Sequence, residues 1–115
     1  MNIFPAIRRY YMYQGYVDMR KSFYGLGGLV RNEMNKGLQS GDGFIFINKR
    51  RNMIKILVWD GNGYVIYYKR LAAGSFEWPE NKEISATQLM MIIEGIELNS
   101  VRMRKRFIEQ KKVTT

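Results

Sequence analysis

Chemistry on a phosphodiester needs carboxylates close enough together to share metal ions. Of the ten acidic side chains in the chain, Asp18, Asp42, Asp60 and Glu94 are the ones to weigh for that role. Two of them have simpler duties. Asp60 opens an Asp-Gly-Asn-Gly turn, and Asp18 precedes a helical pattern that it can cap. Cysteine and histidine are both missing. That removes nucleophilic triads, the usual zinc sites, disulfides and the ordinary neutral-pH general base. The expectation is a protein that is not an enzyme and has no catalytic residue, metal site or cofactor.

The basic side chains make the stronger pattern. Arg20 with Lys21, Lys49 with Arg50 and Arg51, and Lys69 with Arg70 fall at or near predicted loop and strand ends, and Lys55 lies among them. Such groups neutralise phosphates and release counterions, and a positive hairpin tip can enter or straddle a DNA groove. These eight are the candidate nucleic-acid contacts. Trp59 and Tyr68, predicted on the sheet face of Lys55 and Arg70, are candidates to stack on unpaired bases, although shielding a sheet beneath a helix is the commoner duty of such aromatics. Phe76 and Trp78, or Met90 and Met91, are candidates for a partner surface. RNA would suit the same charges, but the aromatic submotifs of the common RNA folds are missing.

The net charge of +9 is unevenly spread. Residues 72–98 hold five acidic side chains and one basic, whereas 1–40 and 41–71 each hold six basic and two acidic, and 99–115 hold six basic and one acidic. A surplus of this kind suits a protein that meets phosphate. The first residues have too short an apolar run for a signal peptide, and no stretch has the length of a membrane span. A soluble cytoplasmic protein without membrane contact is expected.

The elements that must position these groups centre on residues 44–71, where three β-prone runs are separated by a basic loop and a Gly-Asn-Gly turn. With Gly61 and Asn62 as loop residues, Trp59 faces Tyr64 and Leu57 faces Ile66; with Asn62 and Gly63 the pairing moves along by two. Both registers put Ile54, Ile56, Val58, Val65, Tyr67 and Lys69 on one face. A further strand is predicted at 10–13. Helices are predicted at 22–36, with three glycines near its start that suggest close approach of another backbone, and at 86–96, behind a Ser85/Gln88 capping box. Residues 71–79 read as an edge strand. The chain of 115 residues is therefore expected to be α+β. One domain, 1–98, holds an antiparallel meander of four or five strands covered mainly on one face by two helices, and 99–115 form a basic tail or frayed helix. Two apolar sheet faces require a helix on each, or a partner or second copy on one.

The sequence resembles the TnpB-type accessory protein, or second-open-reading-frame protein, of the insertion-sequence family numbered sixty-six. The resemblance spans about residues 8–98. It rests on Asp18, Met19, Arg20, Lys21, Phe23, Gly25 and Leu26, then Phe44, Phe46, Asn48 and Arg50. It continues with Lys55, Ile56, Leu57, Trp59, Asp60, Gly63, Lys69, Arg70 and Leu71, and closes with Gly74, Phe76, Trp78, Pro79, Gln88, Leu89, Glu94, Gly95 and Ile96. This family is distinct from the RNA-guided nuclease that shares the TnpB label. The resemblance implies a bacterial mobile-element protein that works beside a separate transposase and carries over no catalytic residue. Two functions follow as expectations: an accessory protein of transposition that binds DNA at the element ends, or an adaptor that binds the transposase without touching DNA.

Overall fold

Turn chemistry sets the meander. β2 (Gly43–Ile47), β3 (Met53–Trp59) and β4 (Tyr64–Arg70) pair antiparallel, with Trp59 opposite Tyr64 and Leu57 opposite Ile66. This is the register with Gly61 and Asn62 at the turn. Asp60 holds it, donating its N–H to the Gly63 carbonyl at 3.0 Å while its Oδ1 accepts from Asn62 N at 3.2 Å and Gly63 N at 3.0 Å.

The first strand departs from the expected meander. In the computed structural model, which describes residues 9–98 and 104–106, β1 (Tyr10–Tyr16) runs parallel to β2. The chain returns to β2 through α1 (Phe23–Asn32), and a helical crossover brings a strand back in its original direction, whereas a tight turn reverses it. β5 (Glu83–Ile84) pairs antiparallel with the other side of β1, giving a mixed five-stranded sheet of order β4-β3-β2-β1-β5. With α1 and α2 (Ala86–Glu94), the architecture is α+β with five strands and two helices.

A helix lies on each face. Tyr10, Met12, Ile45, Ile47, Ile54, Ile56 and Val58 pack with Leu89, Ile92 and Ile93 of α2, and Phe76 joins them. On the opposite face Phe44, Phe46 and Leu57 pack with Leu26 and Val30 of α1, flanked by Phe23, Tyr64 and Ile66. The expectation of cover mainly on one face is corrected by the alternation along β2 and β3, where every residue from Phe44 to Ile47 and both Ile56 and Leu57 are buried. Neither face of so apolar a strand pair can be left in water.

α1 stops at Asn32 because Asn35 turns left-handed, with φ 55°, and Lys36 N reaches back to the Val30 carbonyl at 3.1 Å. Asparagine tolerates that conformation, so the helix is shorter than predicted. Its glycines approach no other backbone: a side chain at Gly27 would meet Leu38, and one at Gly28 would meet open space. α2 carries the predicted capping box of Ser85 and Gln88 and ends at Gly95, φ 83°.

Residues 71–79 form no strand. Leu71 N and Phe76 N donate to the carbonyls of Asn52 (2.8 Å) and Arg51 (2.6 Å), so this segment braces the β2–β3 loop, and Phe76 is fully buried. The expected tail lies outside the described residues except for 104–106. There Arg104 and Arg106 donate to the Ser75 carbonyl at 3.0 and 2.7 Å. A Cβ at Gly74, φ 83°, would collide with the Lys105 carbonyl oxygen.

The two covered faces make a testable pair. Leu57→Ala, beneath α1, and Ile56→Ala, beneath α2, should each lower the unfolding free energy by about 2–5 kcal/mol in urea denaturation. A solvated second face would instead leave Leu57→Ala within about 0.5 kcal/mol of the parent.

Candidate nucleic-acid interface

The carboxyl ends of the parallel pair β1 and β2 lie side by side, and Val17 N donates to the Ile47 carbonyl at 3.0 Å. Two connections leave from this place: residues 17–22, leading to α1, and residues 48–52, the β2–β3 loop.

Asn48 builds the second of these. Its Oδ1 accepts from the backbone N–H groups of Asn52 and Met53, both at 3.0 Å, and its Nδ2 donates to Asn52 Oδ1 at 2.8 Å. Arg51 takes a left-handed conformation, φ 59°. Its guanidinium turns back, donating to the Tyr16 hydroxyl at 3.4 Å and lying 5.8 Å from the Trp78 ring centre, while Tyr16 meets Trp78 edge-on at 5.5 Å. Lys49 and Arg50 stay exposed, and neither has an ion-pair or hydrogen-bond partner among the described residues.

The first connection is pinned from below. Lys55 on β3 donates to the carbonyls of Met19 and Lys21 at 2.8 and 2.9 Å, and its ammonium lies 4.9 Å from the Tyr68 ring centre. Asp18 and Arg20 form a fork, with Nη2 and Nε of Arg20 on Asp18 Oδ2 at 2.6 and 3.0 Å. The Arg20 side chain, followed by its backbone N–H, holds the Asp18 carboxyl down at about 2.

Between the two connections runs a groove of about 490 Å³, lined by Tyr16, Val17, Asp18, Met19, Arg20, Asn48, Lys49, Arg50, Met53 and Tyr68. Of the predicted site residues it gathers Arg20, Lys49, Arg50 and Tyr68. Lys55 is tied up as a strut beneath it. Lys21 and Arg70 are exposed, and Arg70 lies opposite Met53. Lys69 is on the other face, where it donates to the Ile93 carbonyl at the end of α2 (3.2 Å). Trp59 is at the far hairpin end, with ring centres 4.9 Å from Tyr64, whose ring lies tilted 4.3 Å from that of Phe23. Phe76, a candidate partner residue, is in the core and offers no surface, and Trp78 packs half-buried behind the loop. Sequence reasoning missed Tyr16, Met19 and Met53 as groove residues. An Asn at the end of a strand, four residues before another Asn, was the available signal for the stitched loop.

The four weighed carboxylates do not converge. Asp18 is on Arg20, Asp42 accepts from Ser40 at 3.1 Å, Asp60 holds its turn, and Glu94 is exposed at the end of α2. Among the described residues no three acidic side chains are grouped to hold a metal ion, and no helix is long and apolar enough to cross a membrane.

The family model described as "IS66 Orf2 like protein" matches residues 8–103. The chain belongs to the IS66 Orf2-like family. An accessory role in transposition follows from that membership. Two curated relatives come from Sinorhizobium fredii strain NGR234. "Uncharacterized protein y4jC" is 28% identical over 92 residues, covering 76% of this chain and 79% of its own length. "Uncharacterized protein y4hO" is 30% identical over 93 residues, covering 77% of this chain and 81% of its own length. No solved structure matches the chain. The match to the IS66 Orf2-like family takes in every residue that lines the groove or braces its loop, and ends before Arg104.

The Asp18–Arg20 fork gives this IS66 Orf2-like protein a measurable signature. The depressed carboxyl keeps the fork fully formed above its ordinary range near 3.8 and loses it as pH falls through about 2. Arg20→Gln should return the Asp18 titration toward 3.8, read from the side-chain carboxyl carbon by NMR.

Proposed function

We propose that this protein assists transposition by gripping DNA backbone with the β2–β3 loop and its groove, beside a separate transposase in the bacterial cytoplasm. One observation carries the reading: among the described residues, Lys49 and Arg50 stand without partners, on a loop whose backbone is fixed by Asn48 and by residues 71–76. Cations held in this way meet phosphates without first breaking an ion pair, and the loop gives up little freedom on binding. Arg20 adds a guanidinium at the groove that can exchange Asp18 for phosphate. DNA at the ends of the element is the natural target of such an accessory protein.

An adaptor that binds transposase without DNA is the second reading. Its favouring observation is Met90, 46% exposed on the outer side of α2, since flexible methionine surfaces suit adaptable protein contacts.

A salt titration with labelled duplex from an element end separates the two. Each phosphate contact contributes about 0.9 to the slope of log affinity against log salt, so Lys49→Gln with Arg50→Gln should flatten it by about two. A parent protein that binds no duplex at low salt, yet co-purifies with transposase after nuclease treatment, would establish the adaptor instead.

A further inference from the structure

Backbone contact alone needs a charged projection, and the loop already supplies one. The groove behind it is of another character. Its lining includes apolar Val17, Met19 and Met53, its one carboxylate, Asp18, is paired with Arg20, and Tyr68 stands in it half exposed, at 50%. Its volume of about 490 Å³ lies within the range of roughly 300–1,000 Å³ usual for small-ligand sites. Apolar walls, an aromatic ring and cations at the rim match a nucleotide with its base unstacked, which has a flat apolar face and a charged backbone at either side. A paired base cannot present that face.

We propose that the groove takes one unpaired nucleotide of DNA, its base lying against Tyr68 and Met53 and its flanking phosphates on Lys49 and Arg50. This rests on the DNA reading and goes beyond it, because it names what the groove selects. The Tyr68 ring is set in advance. Its hydroxyl donates to Met53 Sδ at 3.2 Å, and Lys55, itself fixed by the Met19 and Lys21 carbonyls, holds one side of it. A ring already ordered gives more net affinity per stacked base than a mobile one. Trp59, the other aromatic expected to stack, is engaged with Tyr64 at the opposite end of the sheet and takes no part.

The test uses the full chain and three labelled DNAs of one sequence and length: a duplex, the duplex with a single bulged 2-aminopurine, and the single strand carrying 2-aminopurine. The bulged and single-stranded forms should bind about tenfold more tightly than the duplex, with 2-aminopurine emission quenched on binding. Tyr68→Ala should abolish both the preference and the quenching and leave the salt slope intact, whereas Tyr68→Phe should keep all three. Equal binding of duplex and bulged DNA, or a preference that survives Tyr68→Ala, overturns the nucleotide site while a steep salt slope still upholds backbone contact. Failure to bind any of the three at low salt overturns both.

Discussion

The structure depends on a mismatch of lengths. α1 has ten residues, about 15 Å of helix, and must shield a sheet face whose strand β3 has seven residues, about 23 Å long. It settles over Phe44, Phe46, Leu57 and Ile66, where burial gains most, and leaves the end of the face at Met53 and Tyr68 uncovered. That end cannot remain a flat apolar patch. The chain covers it in part with the connection from β1 to α1, and the space that remains is the groove.

Lys55 makes this arrangement hold. A lysine pointing from the middle of β3 toward the face of α1 would be costly if its ammonium were left dry and unpaired. Two backbone carbonyls satisfy it, and the same bonds fasten residues 19–21 across the sheet. Lys69 does comparable work on the other face, closing the carbonyl end of α2, where a cation is also favoured by the helix dipole. Arg51 closes the loop against Tyr16 and Trp78. Basic residues therefore divide into those that hold the fold and those that, among the described residues, have no ion-pair or hydrogen-bond partner, and a count of positive charge cannot make that division.

This explains what the sequence disclosed. The register of β3 and β4 was legible because Asp60, Gly61, Asn62 and Gly63 encode their turn locally. The capping box of α2 was legible for the same reason. β1 is legible as a strand, but its parallel pairing leaves no turn signature, since the crossover that determines it is an ordinary amphipathic helix. Residues 71–79 imitate an edge strand by placing Phe76 and Trp78 two apart, while the Phe76 N–H actually serves the Arg51 carbonyl. The candidate groove is half legible in the sequence. Lys49 and Arg50 announced themselves by charge, whereas the partners of Lys55 lie 34 and 36 residues away and are backbone carbonyls, which no side-chain pattern marks.

The placement of the acids completes the electrostatic case. Glu77, Glu80, Glu83, Glu94 and Glu97 all fall in the stretch that forms β5, α2 and their flanks, and none lines the groove. Asp18 is the one carboxylate there, already bound to Arg20, so the pair contributes little field at a distance. Among the described residues, the unpaired charges at the groove are those of Lys49 and Arg50, and under the proposed DNA reading they would supply the long-range attraction while the fork would act only at contact range. On the proposed reading, attraction and discrimination fall to different residues within one small surface: the cations at the loop would draw in a backbone, and the ring behind them would sense whether a base is free.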